Sequence, residues 1–354
     1  MTASITPKEL GIPAALPMPR RTDWRIGLVG LGGISGAHIP AYRAAGWNIV
    51  AGADIDPARR EWAKCEQGIE TVYDGFEALV ADERVEVVSL LTHPTLRLPV
   101  VEAAARAGKP LQTEKPLGDS VAECERMIAV AAEAGIPFAV SQNYRWNGAS
   151  FFARHIIAKG LIGKPFFASI EIFGVQDVRL ANHPFYAACD DFLTVQWNTH
   201  LVDLLRCWTD TDAQRVLART GRMAGQNFKS DNLLVSIADF GDGVTGHILH
   251  SELLRSSMSG NRCRVDGDEG TLVFDLWGNG LQLQSSQLGA EVYTLDLEGI
   301  ELPSSFAGPM GDLLLSLEEG REPQVSARRN LATIRQVLAE HRSTQAGGAW
   351  VDVE

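Results

Sequence analysis

The stretch "RIGLVGLGGISGAH", residues 25–38, decides the fold. Its first half is a short aliphatic run, and its second half opens with Gly30, Gly32 and Gly33 before an Ala-rich segment begins. That order reads as a strand, a tight glycine turn and a helix. Gly30 and Gly32 allow the backbone to approach a pyrophosphate closely. Gly33 and Ile34 lead into a helix N-terminus whose free amides point at the anion. A third glycine in the GxGxxG spacing is absent: Ser35 occupies that position and Gly36 follows it, which predicts slightly looser packing of helix on strand.

Working outward, aliphatic runs alternate with Ala-rich amphipathic stretches, the signature of a parallel sheet with crossover helices. Strands are predicted at 25–30, 48–54, 85–92, 110–114 and 137–143. The intervening helices "RLPVVEAAARAG" (97–108) and "SVAECERMIAVAAEAG" (120–135) each finish on a glycine, where a helix commonly closes in a left-handed residue. Asp54, 24 positions after Gly30 and followed by Ile55, ends the second strand. A carboxylate there can accept both ribose hydroxyls of NAD and would repel the extra phosphate of NADP, so NAD is the expected cofactor. Asp54 and Asp56 can alternatively serve only to cap the helix that begins at Pro57.

In a doubly wound sheet, ligands lie beyond the carboxyl ends of the strands. "LTHPT" (91–95) and "QTEKP" (112–116) both fall there, which puts Thr92, His93, Pro94, Glu114 and Lys115 against the cofactor. Lys115 precedes a proline and is therefore expected on extended backbone. Its ammonium can hold a substrate oxygen and stabilise an alkoxide; the plainer alternative is a surface Glu–Lys pair before a turn.

The whole chain sets the bounds. At 354 residues it exceeds one usual core, so two domains are expected. We expect an extended arm over 1–22, a dinucleotide-binding domain over 23–145 and a second α/β domain over 146–354, whose last helix can return toward the first. Arg20 and Arg21 form a twin-arginine pair, but a strand and glycine turn follow them rather than the apolar stretch of a signal. No apolar run approaches the roughly 18 residues of a membrane-spanning helix. The net charge of −12 argues against nucleic acid and anionic membranes as partners. Five scattered cysteines with no CxxC suggest neither disulfides nor a metal site, and fit a reducing cytoplasm.

"GLGGISGAH", "GADIDP" (52–57), "EAAARAGKPLQTEKPLGDS" (102–120) and "SQNYRWN" (141–147) together resemble the Gfo/Idh/MocA oxidoreductases, the family of glucose-fructose oxidoreductase and inositol dehydrogenase. The similarity continues through "IIAKGLIGKPFF" (156–167), "FGDGVTGHI" (240–248), "VDGDEGTLVF" (265–274) and the closing helix and tail. The resemblance implies a Rossmann domain followed by an α/β domain with an open, mainly antiparallel sheet that forms a substrate wall and often a subunit interface, hence a homodimer or homotetramer. It implies hydride transfer between a nicotinamide and a carbinol carbon of a sugar, cyclitol or glycoside. The family's EKP lysine maps onto Lys115.

The family's DxxxH helix maps onto "VQWNTHLVDLL" (195–205), where His200 matches the histidine but position 196 is Gln. In an α-helix the two would stand one turn apart on one face. Gln196 supplies neutral hydrogen bonds where a carboxylate would raise basicity, so His200 would act as base without an acidic partner; an ordinary imidazole, with pKa ~6.5, can still accept a proton near neutral pH. His200 can equally be a buried group bonded to Gln196 or Asn198. Arg97 stands where family members commonly carry histidine, and reads as a substrate determinant or a solvated helix start. At the last Rossmann strand end, Asn143 is expected at the cofactor and Tyr144 and Arg145 at substrate, with packing at the domain junction as the plain alternative. Trp146 and Trp197 can stack on a sugar, and His183 and Tyr186, in a loop over the pocket, can bind hydroxyls, although such aromatic residues more commonly pack in a core. Two other readings remain: cleavage of glycosides through transient oxidation and elimination on a held NAD, and a non-catalytic NAD-binding sensor.

Overall fold

The run Arg25–Val29 forms a strand whose Ile26 and Leu28 are fully buried, as expected of a strand covered on both faces. In the computed structural model, which describes residues 2–297 and 303–354, it lies near the middle of a six-stranded parallel sheet. The spatial order is Val72–Tyr73, Asn48–Ala53, Arg25–Val29, Val87–Leu90, Leu111–Thr113 and Phe138–Val140. The chain starts in the interior, works to one edge, then returns past its first strand to build the other side. This is the doubly wound arrangement, and its switch point lies between Arg25–Val29 and Val87–Leu90. This sheet belongs to a unit made of Leu16–Trp146 and Leu302–Ile334.

The strands are shorter than the apolar runs that announce them. Pro110 and Pro137 stand outside because proline has no N–H for the ladder, although their carbonyls still accept from Val88 and Leu111. The helices close as expected: Ser120 caps Val121–Glu133 by accepting the Glu123 amide, and Gly108 and Gly135 have φ of 65° and 67°.

The second unit comprises Met1–Ala15, Asn147–Glu301 and Arg335–Glu354. It contains a ten-stranded sheet in the order Thr2–Ser4, Val292–Asp296, Gly280–Ser285, Gly270–Phe274, Gly260–Gly267, Pro165–Phe173, Thr245–Ser251, Leu233–Asp239, Arg215–Gly221 and Val351–Asp352. Two of its pairings are parallel, Thr2–Ser4 with Val292–Asp296 and Pro165–Phe173 with Thr245–Ser251; the others are antiparallel. Along Leu233–Asp239 and Thr245–Ser251 burial alternates residue by residue, so one face is core and the other half-exposed. Helix Asn198–Thr209 packs against strand Pro165–Phe173 and helix Gly148–Ala158, burying Leu201, Leu204 and Leu205.

The first residues are not uniformly extended. Thr2–Ser4 is a strand, and Pro7–Leu10 is a short helix closed by a capping box between Thr6 and Glu9. Among the described residues no helix is long and apolar enough to cross a membrane.

Candidate active site

Gly30 adopts φ 92°, and a Cβ there would stand 3.0 Å from the Leu91 carbonyl carbon and 3.1 Å from Thr92 Cγ2. Only glycine fits both constraints. Gly32, Gly33 and Gly36 are the opposite case: nothing lies within 4 Å of where a Cβ would project, so the turn faces open space. The Ser35 hydroxyl donates to the Gly32 carbonyl at 2.6 Å, and Ser35 is fully buried. Serine thus occupies the third glycine's position by bonding to the turn. The Gly32, Gly33 and Ile34 amides donate to no acceptor among the described residues.

The Asp54 carboxylate accepts from the Leu31 amide at 2.7 Å and from the Asp56 amide at 2.9 Å. Asp56, not Asp54, caps the next helix, through the Ala58 amide. Asp54 is therefore held at the rim of the glycine turn with lone pairs to spare, since a carboxylate can accept about four bonds. Arg60 donates to the Asp54 and Ile55 carbonyls, so its guanidinium is committed to the loop. Ile34 and Ile55 present exposed apolar side chains on the same rim. Thr92 Oγ1 and both amide atoms of Gln142 are buried polar atoms without protein partners at the carboxyl ends of two of the strands. Open glycines, unspent amides, a positioned carboxylate and unsatisfied polar atoms are what a dinucleotide needs, so the residues present fit NAD.

Around Lys115 the structure adds what the sequence left unsaid. The Glu114 side chain turns inward and is only 6% exposed; Oε1 meets His38 Nε2 at 2.7 Å and Oε2 accepts the Lys115 amide at 3.2 Å. Burial works to raise its pKa, but the hydrogen bond and charge of His38, joined by Lys115, outweigh it and hold the carboxyl well below the usual range. His38 Nδ1 continues the chain to the Tyr42 hydroxyl at 2.9 Å, which also meets Ser89 at 3.1 Å and Gln112 at 3.2 Å.

Arg97 is neither solvated nor free to meet a ligand. It is 1% exposed, and its guanidinium donates to the carbonyls of Thr92 and Pro116. Burial pushes its pKa down to about 10. Arg97 thereby braces the two strand-end turns, and Lys115, half-buried before a cis peptide bond to Pro116, sits on one of them. His93 and Thr95 are exposed and bonded to each other at 3.3 Å, while Pro94 is buried.

Asn143, Tyr144, Arg145 and Trp146 form one turn of 3₁₀ helix. Asn143 donates to the Ser305 hydroxyl at 3.3 Å. Trp146 is buried against Gly308, where an added Cβ would lie 2.1 Å from its ring, so its ring faces protein rather than offering a stacking surface. Tyr144 and Arg145 are half-buried.

In the second unit, Phe192–Trp197 is a π-helix that passes directly into the α-helix Asn198–Thr209. Gln196 thus lies in the wider turn and His200 in the tighter one, and the two are not related by a simple α-helical repeat. His200 is buried and Gln196 half-buried. The stretch 181–191 is not a plain loop: Pro184–Ala188 is helical, and Tyr186 and Cys189 pack on a core of Phe192, Leu193, Ala218, Phe228 and Leu234. A series of ring contacts, tilted at the first step and edge-on thereafter, runs from His183 to Tyr186 (4.5 Å), Phe192 (5.3 Å), Trp197 (5.5 Å) and His250 (5.3 Å). Tyr186 and Trp197 are therefore core-anchored at one side. His250 in turn holds Glu252 at 2.8 Å, and Glu252 accepts the Gln176 amide.

His38 and the residues that support helix Asn198–Thr209 were missed as site-builders in the sequence, where Arg97 reads as a substrate determinant or a solvated helix start rather than as a brace. A histidine on the buried face of the helix after the glycine turn, four residues before Tyr42, was the available signal for the first.

Residues 24–142 match the model of an oxidoreductase family with an NAD-binding Rossmann fold, and residues 152–273 match the C-terminal domain model of the same family. A D-apiose dehydrogenase of Paraburkholderia graminis is 27% identical over 340 residues, 90% of this chain and 87% of the relative. One from Rhizobium rhizogenes is 25% identical over 347 residues, 94% and 98% of the two chains. An oxidoreductase from Agrobacterium radiobacter, solved in complex with NAD+, L-tartaric acid and magnesium, superposes with a TM-score of 0.84 at 24% identity, covering 94% of this chain and 98% of that one. Both halves of the sequence and the fold thus agree: the chain belongs to the Gfo/Idh/MocA family of NAD-binding oxidoreductases.

Proposed function

We propose that the chain is an NAD-dependent dehydrogenase acting on a carbinol carbon of a sugar or cyclitol, with D-apiose first among the sugars to test because two relatives that align along nearly the whole chain bear that name. The observation that carries the reading is the mounting of Lys115: a lysine beyond the carboxyl end of an inner strand, its amide fixed by buried Glu114 and its turn braced by buried Arg97. A surface lysine needs no such support.

When bound, NAD supplies the hydride acceptor. The amides of Gly32, Gly33 and Ile34 suit its pyrophosphate, and Asp54 its ribose hydroxyls. Ile34 and Ile55 offer apolar surface for a base. Lys115 donates to the substrate hydroxyl oxygen and stabilises the negative charge that grows there as the proton leaves. His200 accepts that proton through a ring nitrogen, and Gln196, lacking charge, orients rather than activates. Tyr186, His183 and Trp197 supply the hydroxyl-binding and stacking surface on the second unit.

A screen of sugars, cyclitols and glycosides with NAD and NADP tests the reading. Replacing Lys115 by Ala should lower turnover by roughly 10²–10⁴-fold, as for loss of a general-acid/base or oxyanion group, with NAD affinity held within about threefold. Unchanged turnover rejects the role. Release of free sugar from a glycoside without net NADH would assign transient oxidation and elimination instead, and tight NAD binding with no turnover would assign a sensor.

A further inference from the structure

Beneath the π-to-α junction lies a buried carboxyl group with no charged partner. Glu340, on helix Ala327–Gln345, is fully buried. Its Oε1 accepts from Gln336 Nε2 at 3.0 Å and its Oε2 from Asn198 Nδ2 at 2.5 Å, while the nearby Ser236 side chain also favours the charged form. Asn198 is the first residue of the α-helix, two positions from Gln196 and two from His200. Both amides reach Glu340 with their nitrogens. Their oxygens, Asn198 Oδ1 and Gln336 Oε1, are buried with no partner.

That array satisfies a carboxylate but strands two acceptors. With a proton on Glu340 the balance reverses: the acid donates through its own O–H, and a turned Asn198 amide accepts it on Oδ1, so a stranded acceptor is satisfied. One proton therefore selects between two orientations of the Asn198 amide. Burial pushes the Glu340 carboxyl up to about 7, against the lowering effect of Gln336, Asn198 and Ser236, so both forms are populated near neutrality.

No charged side chain contributes to this environment. On its own helix the neighbouring His341 is engaged with Thr194 Oγ1 at 3.4 Å and Gln345 at 2.9 Å. On the facing helix the buried titratable groups are His200 and Asp203. On the strands behind, Arg215, Arg219, Asp239 and His247 lie on the face opposite Ser236 and Ala218, whereas buried His250, opposite Leu234, shares the Ser236 face and is engaged with Glu252 at 2.8 Å.

We propose that Glu340 is a proton-linked positioning residue, which through Asn198 sets the seat of the turn carrying Gln196 and His200. The proposal rests on the reading of His200 as the group that accepts the substrate proton.

pH-difference infrared spectra of the full chain should show a carboxylic-acid C=O band that titrates near neutrality and is absent in Glu340→Gln. In parallel, the ring signals of isotope-labelled His200 should show an inflection at the same midpoint, lost in that variant. Asn198→Ala, which removes one donor to the charged form and with it the link to the turn, should move the infrared midpoint up by about one unit and abolish the His200 inflection. Should Glu340→Gln not fold, the shift in Asn198→Ala decides alone. With an identified substrate, the matching inflection in kcat should follow the His200 inflection while KM stays level. A chain without any titrating band assignable to Glu340, or His200 signals blind to it, overturns the proposal. Failure of the dehydrogenase reading would appear instead as absent turnover with the spectroscopic midpoints intact.

Discussion

Replacing Glu114 by Gln tests whether the lysine turn is built on a buried charge. The Glu114 side chain accepts from the Lys115 amide and is hydrogen-bonded to the fully buried His38 ring. Glutamine keeps the shape, and its oxygen can satisfy His38, but its NH₂ group then opposes the Lys115 N–H, donor against donor. Breaking one partner out of a buried pair costs about 3–5 kcal/mol. At the lower end this lowers the melting temperature by roughly 6–12 °C for a unit of this size, from about 2–4 °C per kcal/mol. The sign with pH follows from the depressed carboxyl. A folded-state pKa below the unfolded value of ~4.3 contributes stability that is present above that value and is lost as pH falls through it toward the folded one. Thermal unfolding followed by circular dichroism at pH 7 and pH 3 should therefore show a wide gap between wild type and variant at the first pH and a narrower one at the second. A variant melting within about 2 °C of wild type at pH 7, or a gap that does not shrink on acidification, would refute the reasoning.

Other consequences are simpler to check. Arg97→Lys should destabilise by about 1–3 kcal/mol, because one ammonium cannot span the Thr92 and Pro116 carbonyls and a buried acceptor loses its donor; urea unfolding reads this directly. Gly30→Ala should cost at least about 1 kcal/mol and weaken NAD binding together, since φ 92° and the Leu91 carbonyl both oppose a Cβ; unaltered calorimetric affinity would count against the glycine turn as cofactor cradle. Asp54→Ser should reduce NAD affinity at least about tenfold, the worth of one charged hydrogen bond, and narrow the preference over NADP; an unchanged ratio would show that another group reads the ribose.

What the sequence made legible was whatever repeats locally. Aliphatic runs marked all five strands sought in the parallel sheet, and Gly108 and Gly135 announced helix ends, because each signal lies within a few residues of its effect. The two-residue strand Val72–Tyr73 escaped, being too short for a pattern. Arg97 reads from the sequence as a substrate determinant or a solvated helix start because its partners, the carbonyls of Thr92 and Pro116, carry no side-chain signature. The π-helical turn at Phe192–Trp197 has the composition of an ordinary helix, so the relation of Gln196 to His200 was not legible. Glu340 was hidden for a different reason. Gln336 and Glu340 sit four apart in a helix rich in exposed charge, and only folding shows that their face is the buried one.

The two outermost strands of the ten-stranded sheet come from the opposite ends of the described chain, Thr2–Ser4 beside Val292–Asp296 and Val351–Asp352 beside Arg215–Gly221. Each is only three or two residues long, too little ladder to recruit a foreign strand, yet they pair with Val292, Tyr293 and Thr294 on one side and with Arg215 and Val216 on the other. These two short strands act as selvedges that keep the fabric from unravelling or being stitched to its neighbour. Removing either one bares the amides and carbonyls it pairs, so forms lacking it should self-associate edge to edge more readily than the intact chain.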